Sequence, residues 1–138
     1  MVRQNAVVRP RPAEELDEAL GIGFHDAGLL QQALYHRSYL NEAEEELESN
    51  ERLEFLGDAV LGLIISEKLY RDDPALSEGQ LSQLRASLVR WDALARAAQR
   101  TGLGEYMVLG RGEEMSGGRS RPSNLACALE ALIGAAFL

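Results

Sequence analysis

Three acidic side chains near the middle of the chain recur at the spacing of a helix. Glu51, Glu54 and Asp58 stand at positions i, i+3 and i+7 of the segment NERLEFLGDAVLG. On an α-helix these positions share one face. A solvated stripe explains Glu51 and Glu54, which would lie at the positive helix N-terminus. Asp58 would lie mid-helix in the apolar stretch 56–60, so a cation site is the competing interpretation.

A fourth acid lies in the most apolar part of the chain, SNLACALEALIGAAFL at 123–138. Glu130 is its only charged residue, and a carboxylate in such surroundings must be paired, neutralised or bound to a cation. An ion pair with Arg52 or Arg85 is one interpretation, and a contact with the acidic face of 51–58 is the other. Carboxylate oxygens suit Mg²⁺ or Mn²⁺, which activate water and stabilise charge on a phosphoryl oxygen. Phosphodiester hydrolysis is the chemistry that such a site favours.

Helices must position these acids, and apolar periodicity predicts five long helical segments. We expect Gly21 to end the first helix, Asn50 to cap the third and Pro74 to stop it. Either Ser123 or Asn124 is expected to cap the last helix. No strand of useful length alternates, so the fold class is all-α. The expected helices span 13–21, 26–40, 50–73, 76–102 and 124–138, with a loop over 41–49 and mostly loop over 103–123.

Bulk composition bounds the class of protein. The 138 residues, 46% of them hydrophobic, suffice for one domain, expected over 13–138 after a flexible arm at 1–12. The single cysteine excludes an internal disulfide and favours the cytoplasm. No segment resembles a signal peptide or is long enough to span a bilayer, so no membrane is expected. A net charge of −8 by itself argues against nucleic-acid binding, so the placement of the acids must decide.

The motifs then point to a family. The segment NERLEFLGDAVL at 50–61 closely resembles the signature of the ribonuclease III family, whose members cut double-stranded RNA. The similarity continues through LLQQALYHRSY, LSEGQLSQLRASLVR and the last 37 residues, and it covers the chain from about Leu16. The resemblance implies a nuclease domain of about six to eight helices that acts in ribosomal and messenger RNA processing. It also implies a homodimer and Mg²⁺ as cofactor, with Mn²⁺ as a substitute.

The resemblance also implies roles for individual acids. Glu54, Asp58 and Glu130 match metal ligands of the family, and Asp58, Glu130 and Glu51 match its catalytic acids. The family's fourth ligand is an Asp in an LAD element, which here reads LAC, so Cys127 stands in a carboxylate's place. A neutral thiol is a softer and weaker ligand for Mg²⁺, so we expect weakened activity. Packing as a small apolar residue is the competing interpretation of Cys127.

Other positions are expected to support the site, the RNA contact or the dimer. Glu78 and Glu113 match further acids near the family's active centre. Phe55 matches an aromatic residue at the family's dimer interface, and an ordinary core position is compatible with that role. Five arginines are candidates for contacts with RNA phosphates, with solubility as the competing interpretation: Arg85, Arg90, Arg111, Arg119 and Arg121.

The sequence is therefore compatible with three functions. The first is a metal-dependent endoribonuclease, and the second is a catalytically silent, dimeric module that binds RNA or ribonucleoprotein. The third is a helical scaffold whose acids hold structural Mg²⁺. Most bacterial-type members of the family carry a double-stranded-RNA-binding domain after the nuclease domain, and none is expected in this chain.

Overall fold

The computed structural model describes residues 8–138, which form seven α-helices, three short 3₁₀ helices and no named strand. The all-α fold and the six to eight helices that the family resemblance implies are therefore confirmed, whereas apolar periodicity predicted only five. None of these helices is both long and apolar enough to cross a membrane. The helices are α1 (Ala13–Leu20), α2 (Ala27–Leu34), α3 (Glu51–Asp72), α4 (Glu78–Leu88), α5 (Trp91–Arg100), α6 (Arg111–Met115) and α7 (Pro122–Phe137), with 3₁₀ helices at Arg37–Tyr39, Leu103–Glu105 and Gly118–Ser120.

Helix α7 lies at the centre of the fold and packs against α2, α3 and α5. Its buried residues are mostly alanine and leucine, and the small ones let the neighbouring helices approach closely. The largest fully buried side chains come from α1, α2 and the segment after α5. Burial of a side chain of this size contributes about 1.5–3 kcal/mol. They are Leu16, Leu34, Leu103 and Met107.

Helices α3 and α7 touch through their backbones at two glycines. A Cβ atom on Gly57 would overlap the carbonyl oxygen of Glu130, and one on Gly134 would overlap the carbonyl oxygen of Leu53. Only glycine permits this approach, because any side chain would push the helices apart. The crossing sets Asp58, the neighbour of Gly57, beside the helix that carries Glu130.

The prediction of one helix over 26–40 was wrong at its end. Helix α2 stops at Leu34, and Tyr35 is extended and forms an isolated bridge with Val108. The amide of Val108 donates to the carbonyl of Leu34 at 2.9 Å, and the amide of His36 donates to the carbonyl of Val108 at 3.0 Å. These hydrogen bonds to a distant segment override the local helical preference.

The single helix expected over 76–102 is two helices. The chain breaks at Arg90, which is extended, and α5 starts at Trp91. The break lets α5 bury Leu94, Ala95 and Ala98, whereas α4 buries no residue. Neither glycine nor proline marks the break, so tertiary packing decides it.

Of the three expected helix caps, the positions of Asn50 and Gly21 are confirmed and the cap of α7 was wrong. Asn50 occupies the cap position of α3, but its buried side chain donates to the carbonyl of Ala33 at 3.2 Å. Helix α7 begins at Pro122, a residue suited to a first turn, so neither Ser123 nor Asn124 is its cap. Gly21 ends α1 with a φ of 65°, as expected.

Residues 1–7 of the expected flexible arm lie outside the described residues. Closer to α1, Arg11 pairs with Glu15 at 2.8 Å and with Glu105 at 3.0 Å. Its guanidinium lies 5.0 Å from the centre of the Tyr106 ring. These contacts tie the chain just before α1 to the segment after α5.

Candidate active site

Four acids from α3 and α7 line one open cleft of about 380 Å³. Glu51, Glu54 and Asp58 face it from α3, Glu130 faces it from α7, and Phe55 completes the lining. Helical periodicity puts the first three on one face, and the glycine crossing brings the fourth beside them. The cleft therefore joins the two acidic elements that the sequence singles out.

Glu130 is coupled to the acids of α3. Burial, the negative charges of Asp58 and Glu54, and a hydrogen bond with Asp58 raise its pKa to about 7. Among residues 8–138 no Arg or Lys forms an ion pair with Glu130, and Arg85 donates to the hydroxyl of Ser66 at 2.9 Å. Burial and these like charges thus favour the neutral form of Glu130, and within residues 8–138 the ion pair considered as an alternative is not formed.

Cys127 lies one turn before Glu130 and contacts the same acids. Burial, the charge of Glu54 and a hydrogen bond with that carboxylate, followed by the charge of Glu130, raise the pKa of the thiol to about 12. The sulfur is half-buried and neutral at pH 7. The thiol therefore acts as a hydrogen-bond donor to the acid cluster and carries no charge.

The carboxylate oxygens of the cleft are of the type that binds a divalent cation, but they are not arranged around a common binding point. Within the described residues no group of three or more His, Cys, Asp or Glu is arranged so that it could hold a metal ion. The carboxylates instead form neighbouring contacts, Glu130 with Asp58 and Cys127 with Glu54. Oxygen donors without a basic partner fit a hard cation, and the long side chains of Glu54 and Glu130 would have to turn towards it.

Arg119 and Glu113, which the sequence analysis expects to support the site or the RNA contact, hold the loop before α7 in place. Arg119 pairs with Glu114 at 2.6 Å and donates to the carbonyls of Gly104 and Met107, each at 2.7 Å. Its side chain is only 17% exposed, so the guanidinium N–H groups point into the protein. This arginine joins α6 to the segment after α5.

Glu113 serves the same loop. Its carboxylate accepts hydrogen bonds from Arg121 and, at 2.8 Å, from the amide of Asn124. Asn124 also donates to the carbonyl of Gly118 at 3.0 Å. Glu113 thereby fixes the first turn of α7, the helix that carries Glu130 eight residues further along.

The remaining expected contacts lie away from the cleft. Glu78 opens α4, accepts from the hydroxyl of Ser82 at 2.9 Å and lines a separate groove with Arg85. Arg111 is exposed at the start of α6, where its backbone amide donates to Glu42 at 2.7 Å. The structure thus brings Glu51, Glu54, Asp58, Cys127 and Glu130 together and sets Glu78, Glu113, Arg111 and Arg119 elsewhere.

Sequence reasoning missed the residues that build the crossing. Gly57 and Gly134 touch the opposite backbone, and Asn50 ties the start of α3 to the end of α2. The signal was available for Gly57, since a glycine inside a helix and next to a candidate ligand has a packing reason. No sequence pattern paired it with Gly134.

Known proteins match most of the chain. The protein named Ribonuclease 3 from Dehalococcoides mccartyi (strain ATCC BAA-2266 / KCTC 15142 / 195) is 50% identical over 90% of this chain and 53% of its own length. Ribonuclease 3 from Enterococcus faecalis is 53% identical over 90% of this chain and 54% of its own length. The chain therefore spans about half the length of the curated relatives it matches.

Comparison of structures and of family patterns gives the same result. The nuclease domain of ribonuclease III from Campylobacter jejuni, described for structural flexibility in the region involved in dimer formation, superposes with a TM-score of 0.83. It is 43% identical and covers 90% of this chain and 83% of that chain. The Ribonuclease-III-like family model matches residues 26–138. The fold, the acids of the cleft and these relatives together show that the chain belongs to the ribonuclease-III-like family.

Proposed function

We propose that this chain is a metal-dependent endoribonuclease domain that hydrolyses phosphodiester bonds in double-stranded RNA during ribosomal and messenger RNA processing. The observation that carries the proposal is the coupling of Glu130 to Asp58 and Glu54 across one open cleft. Relatives named Ribonuclease 3 support the substrate class. The single cysteine and an RNA substrate favour the cytoplasm as the compartment.

Glu54, Asp58 and Glu130 are the proposed ligands of Mg²⁺, with Mn²⁺ as a substitute. When bound, the cation would supply an activated water and stabilise charge on a phosphoryl oxygen. A bound cation would favour the ionised form of the Glu130 carboxylate, because its positive charge would offset the repulsion from Asp58 and Glu54. Glu51, which is exposed at the edge of the cleft and hydrogen-bonded to Ser49 at 3.1 Å, is placed to orient a water molecule.

Cys127 is proposed to weaken this activity. The thiol contributes no charge where the family resemblance implies a carboxylate, and it competes for Glu54 through a hydrogen bond. Loss of an anionic ligand lowers the affinity for Mg²⁺, by at least the roughly 10- to 100-fold that loss of an outer partner costs. Cleavage then requires a higher Mg²⁺ concentration than a site with four carboxylates would need.

Contacts with RNA are proposed to come from exposed arginines and to depend on salt. Arg111 is exposed at the start of α6 and is free to reach a phosphate, whereas Arg119 and Glu113 support the site through the loop before α7. Glu78 lies in the separate α4 groove, so a role for it at the site is not part of this proposal. A net charge of −8 makes RNA affinity weak and dependent on bound cations.

The proposed assembly is a homodimer. Phe55 is 82% exposed although it sits on the helix that lines the cleft, and Leu63 and Tyr70 on the same helix are also exposed. Helix α4 buries no residue within this chain. A face of this kind is typical of a two-fold interface, which would set two clefts beside each other.

The test is cleavage of a labelled RNA duplex in Mg²⁺ and in Mn²⁺. Glu130→Gln should reduce cutting by several orders of magnitude, and Cys127→Asp should raise cutting in Mg²⁺ by about 10-fold or more. Glu18→Gln, an exposed acid on α1, is the matched control and should cut like the parent. Equal cutting by the parent and Glu130→Gln would refute the proposal.

The silent RNA-binding dimer is the second candidate, and Cys127 is the observation that favours it. It predicts that the parent binds the duplex without cutting in either cation, and that Cys127→Asp restores cutting. Cutting by the parent in Mn²⁺ would exclude it.

A further inference from the structure

Asn50 is deeply buried for a polar residue, with only 5% of its surface exposed. Asparagine at the start of a helix commonly accepts hydrogen bonds from the amides of the first turn. Here the side chain forms no such cap and donates instead to the carbonyl of Ala33 at 3.2 Å. The hydroxyl of Ser49 takes over part of the capping role, because it accepts from the amide of Glu51 at 3.3 Å. The side chain of Asn50 therefore acts as a donor and does not cap the helix.

The contacts of Asn50 complete the end of α2. An α-helix leaves its last four carbonyls without partners inside the helix. Ala33 supplies one of these carbonyls to the side chain of Asn50, and the carbonyl of Tyr35 accepts from the backbone amide of Asn50 at 2.9 Å. Ala33 also packs in one apolar cluster with Leu53 of α3. Without the donor of Asn50, a carbonyl would stay unpaired in buried surroundings.

The same residue opens α3. The carbonyl of Asn50 accepts from the amide of Glu54 at 2.8 Å, so the first turn of the helix is hydrogen-bonded to Asn50. Glu51 follows Asn50 directly, and Glu51 and Glu54 both line the cleft. The place where Asn50 is fixed on α2 therefore determines where these two acids lie.

We propose that Asn50 is a positioning residue of the nuclease: its buried amide fixes the start of α3 on the end of α2 and so places Glu51 and Glu54 in the cleft. The inference rests on the proposed function. Asn50 itself is out of reach of a substrate, because its side chain is buried against Ala33. A misplacement of about 1 Å at a reacting group can lower a rate by about 100-fold, so a residue that never touches the substrate can control cutting.

Asn50→Asp distinguishes a donor from a cap. Aspartate has the shape of asparagine and caps helices equally well, and its charge suits a helix N-terminus, so a cap would keep or gain stability. A carboxylate donates nothing and would face the carbonyl of Ala33. We therefore expect the urea midpoint at pH 8 to fall by about 1 M.

A second variant and a matched control accompany this change. Asn50→Ser keeps a capping hydroxyl, loses the reach to Ala33 and adds no charge, so its midpoint should fall by less and the chain should stay folded. Asn41→Asp places the same negative charge at an exposed asparagine of the loop before α3. This control should have the midpoint of the parent.

Cutting of the labelled duplex then measures the positioning. Each rate is divided by the folded fraction that the urea curve gives at the assay conditions, so loss of folded chain alone leaves the corrected kcat unchanged. We expect Asn50→Ser to lower the corrected kcat by about 10-fold or more and to keep KM for the duplex within about twofold, because Asn50 is buried away from RNA. Asn41→Asp should match the parent in both constants.

A midpoint of Asn50→Asp equal to or above that of the parent would overturn the inference, because it would identify Asn50 as a cap. Cutting by the parent together with an unchanged corrected kcat in Asn50→Ser leaves the nuclease and removes the positioning role. A parent that cuts in neither Mg²⁺ nor Mn²⁺ removes the nuclease and, with it, the positioning role.

Discussion

At the scale of single residues, the setting of Glu130 is the most consequential feature. An acid in an apolar helix is tolerated when its charge is compensated or its neutral form is favoured, and here burial and the charges of Asp58 and Glu54 favour the neutral form of Glu130. In the proposed metal site a cation would instead compensate the charge, because a positive charge would relieve the repulsion among Glu54, Asp58 and Glu130. Cys127 adds a neutral neighbour to the cluster, so the cluster carries one negative charge fewer than four carboxylates would.

The first prediction at this scale concerns pH. The pKa of Glu130 rises from 4.5 to about 7 on folding, so between these values the folded chain binds more protons than the unfolded chain. The free energy of unfolding should therefore fall as pH rises through this window, by about 2 kcal/mol after allowance for solvent screening. Urea denaturation at pH 5 and pH 8, with divalent cations chelated, measures the difference.

Glu130→Gln tests the assignment of this pH dependence. The variant should flatten the dependence and be more stable than the parent at pH 8, because an amide needs no proton in this setting. Glu18→Gln should leave the dependence unchanged. An equally steep profile in the parent and in Glu130→Gln would show that another group is responsible.

At the scale of elements, the site depends on how closely α3 and α7 cross. Gly57 and Gly134 allow backbone contact, and this contact sets Asp58 and Glu130 within hydrogen-bonding reach. The loop before α7 is held by Glu113 and Arg119, whose partners lie in three different segments. The acids are thus positioned by backbone packing on one side and by buried polar contacts on the other.

The prediction at this scale is a pair of substitutions on one helix. Gly57→Ala should destabilise the chain by about 3 kcal/mol, because its Cβ would overlap the backbone of α7. Gly62→Ala should be neutral or stabilise by about 0.5–1 kcal/mol, since a Cβ there meets open space and alanine is the better helix former. Chemical denaturation of the two variants measures both, and equal stabilities would contradict the proposed crossing.

At the scale of the whole molecule, charge and apolar surface have different roles. The net charge of −8 discourages RNA unless cations mediate the contact. The exposed residues of α3 and the unburied helix α4 form a surface that lacks a partner within residues 8–138. In the proposed homodimer a second copy of the chain would cover this surface.

Substitution on that surface tests the dimer. Leu63 is 70% exposed, so Leu63→Lys should cost the isolated chain little and should convert a dimer into a monomer. Met115→Lys is the matched control, since Met115 is 77% exposed on α6, outside this surface. Sedimentation velocity at tens of micromolar measures the state. A parent that sediments as a monomer, or a Leu63→Lys variant that stays dimeric, would refute this interface.

The sequence by itself determined the helical class, the acidic face of α3 and the family. Helical periodicity depends only on local residue order, so Glu51, Glu54 and Asp58 could be grouped without any tertiary information. The signature around them is specific enough to identify the family, which the comparisons confirm. The glycines between α5 and α7 predicted a segment that is mostly loop, and the structure adds the short helix α6 and two 3₁₀ helices there.

Only the tertiary structure decided which groups meet. The end of α2 at Leu34, the break at Arg90 and the inward turn of Arg119 depend on partners far away in sequence. The contact of Glu130 with Asp58 depends on two helices whose glycines are 77 positions apart, Gly57 and Gly134. Local propensity cannot encode such a contact, because its free energy comes from packing between segments that are independent until the chain folds.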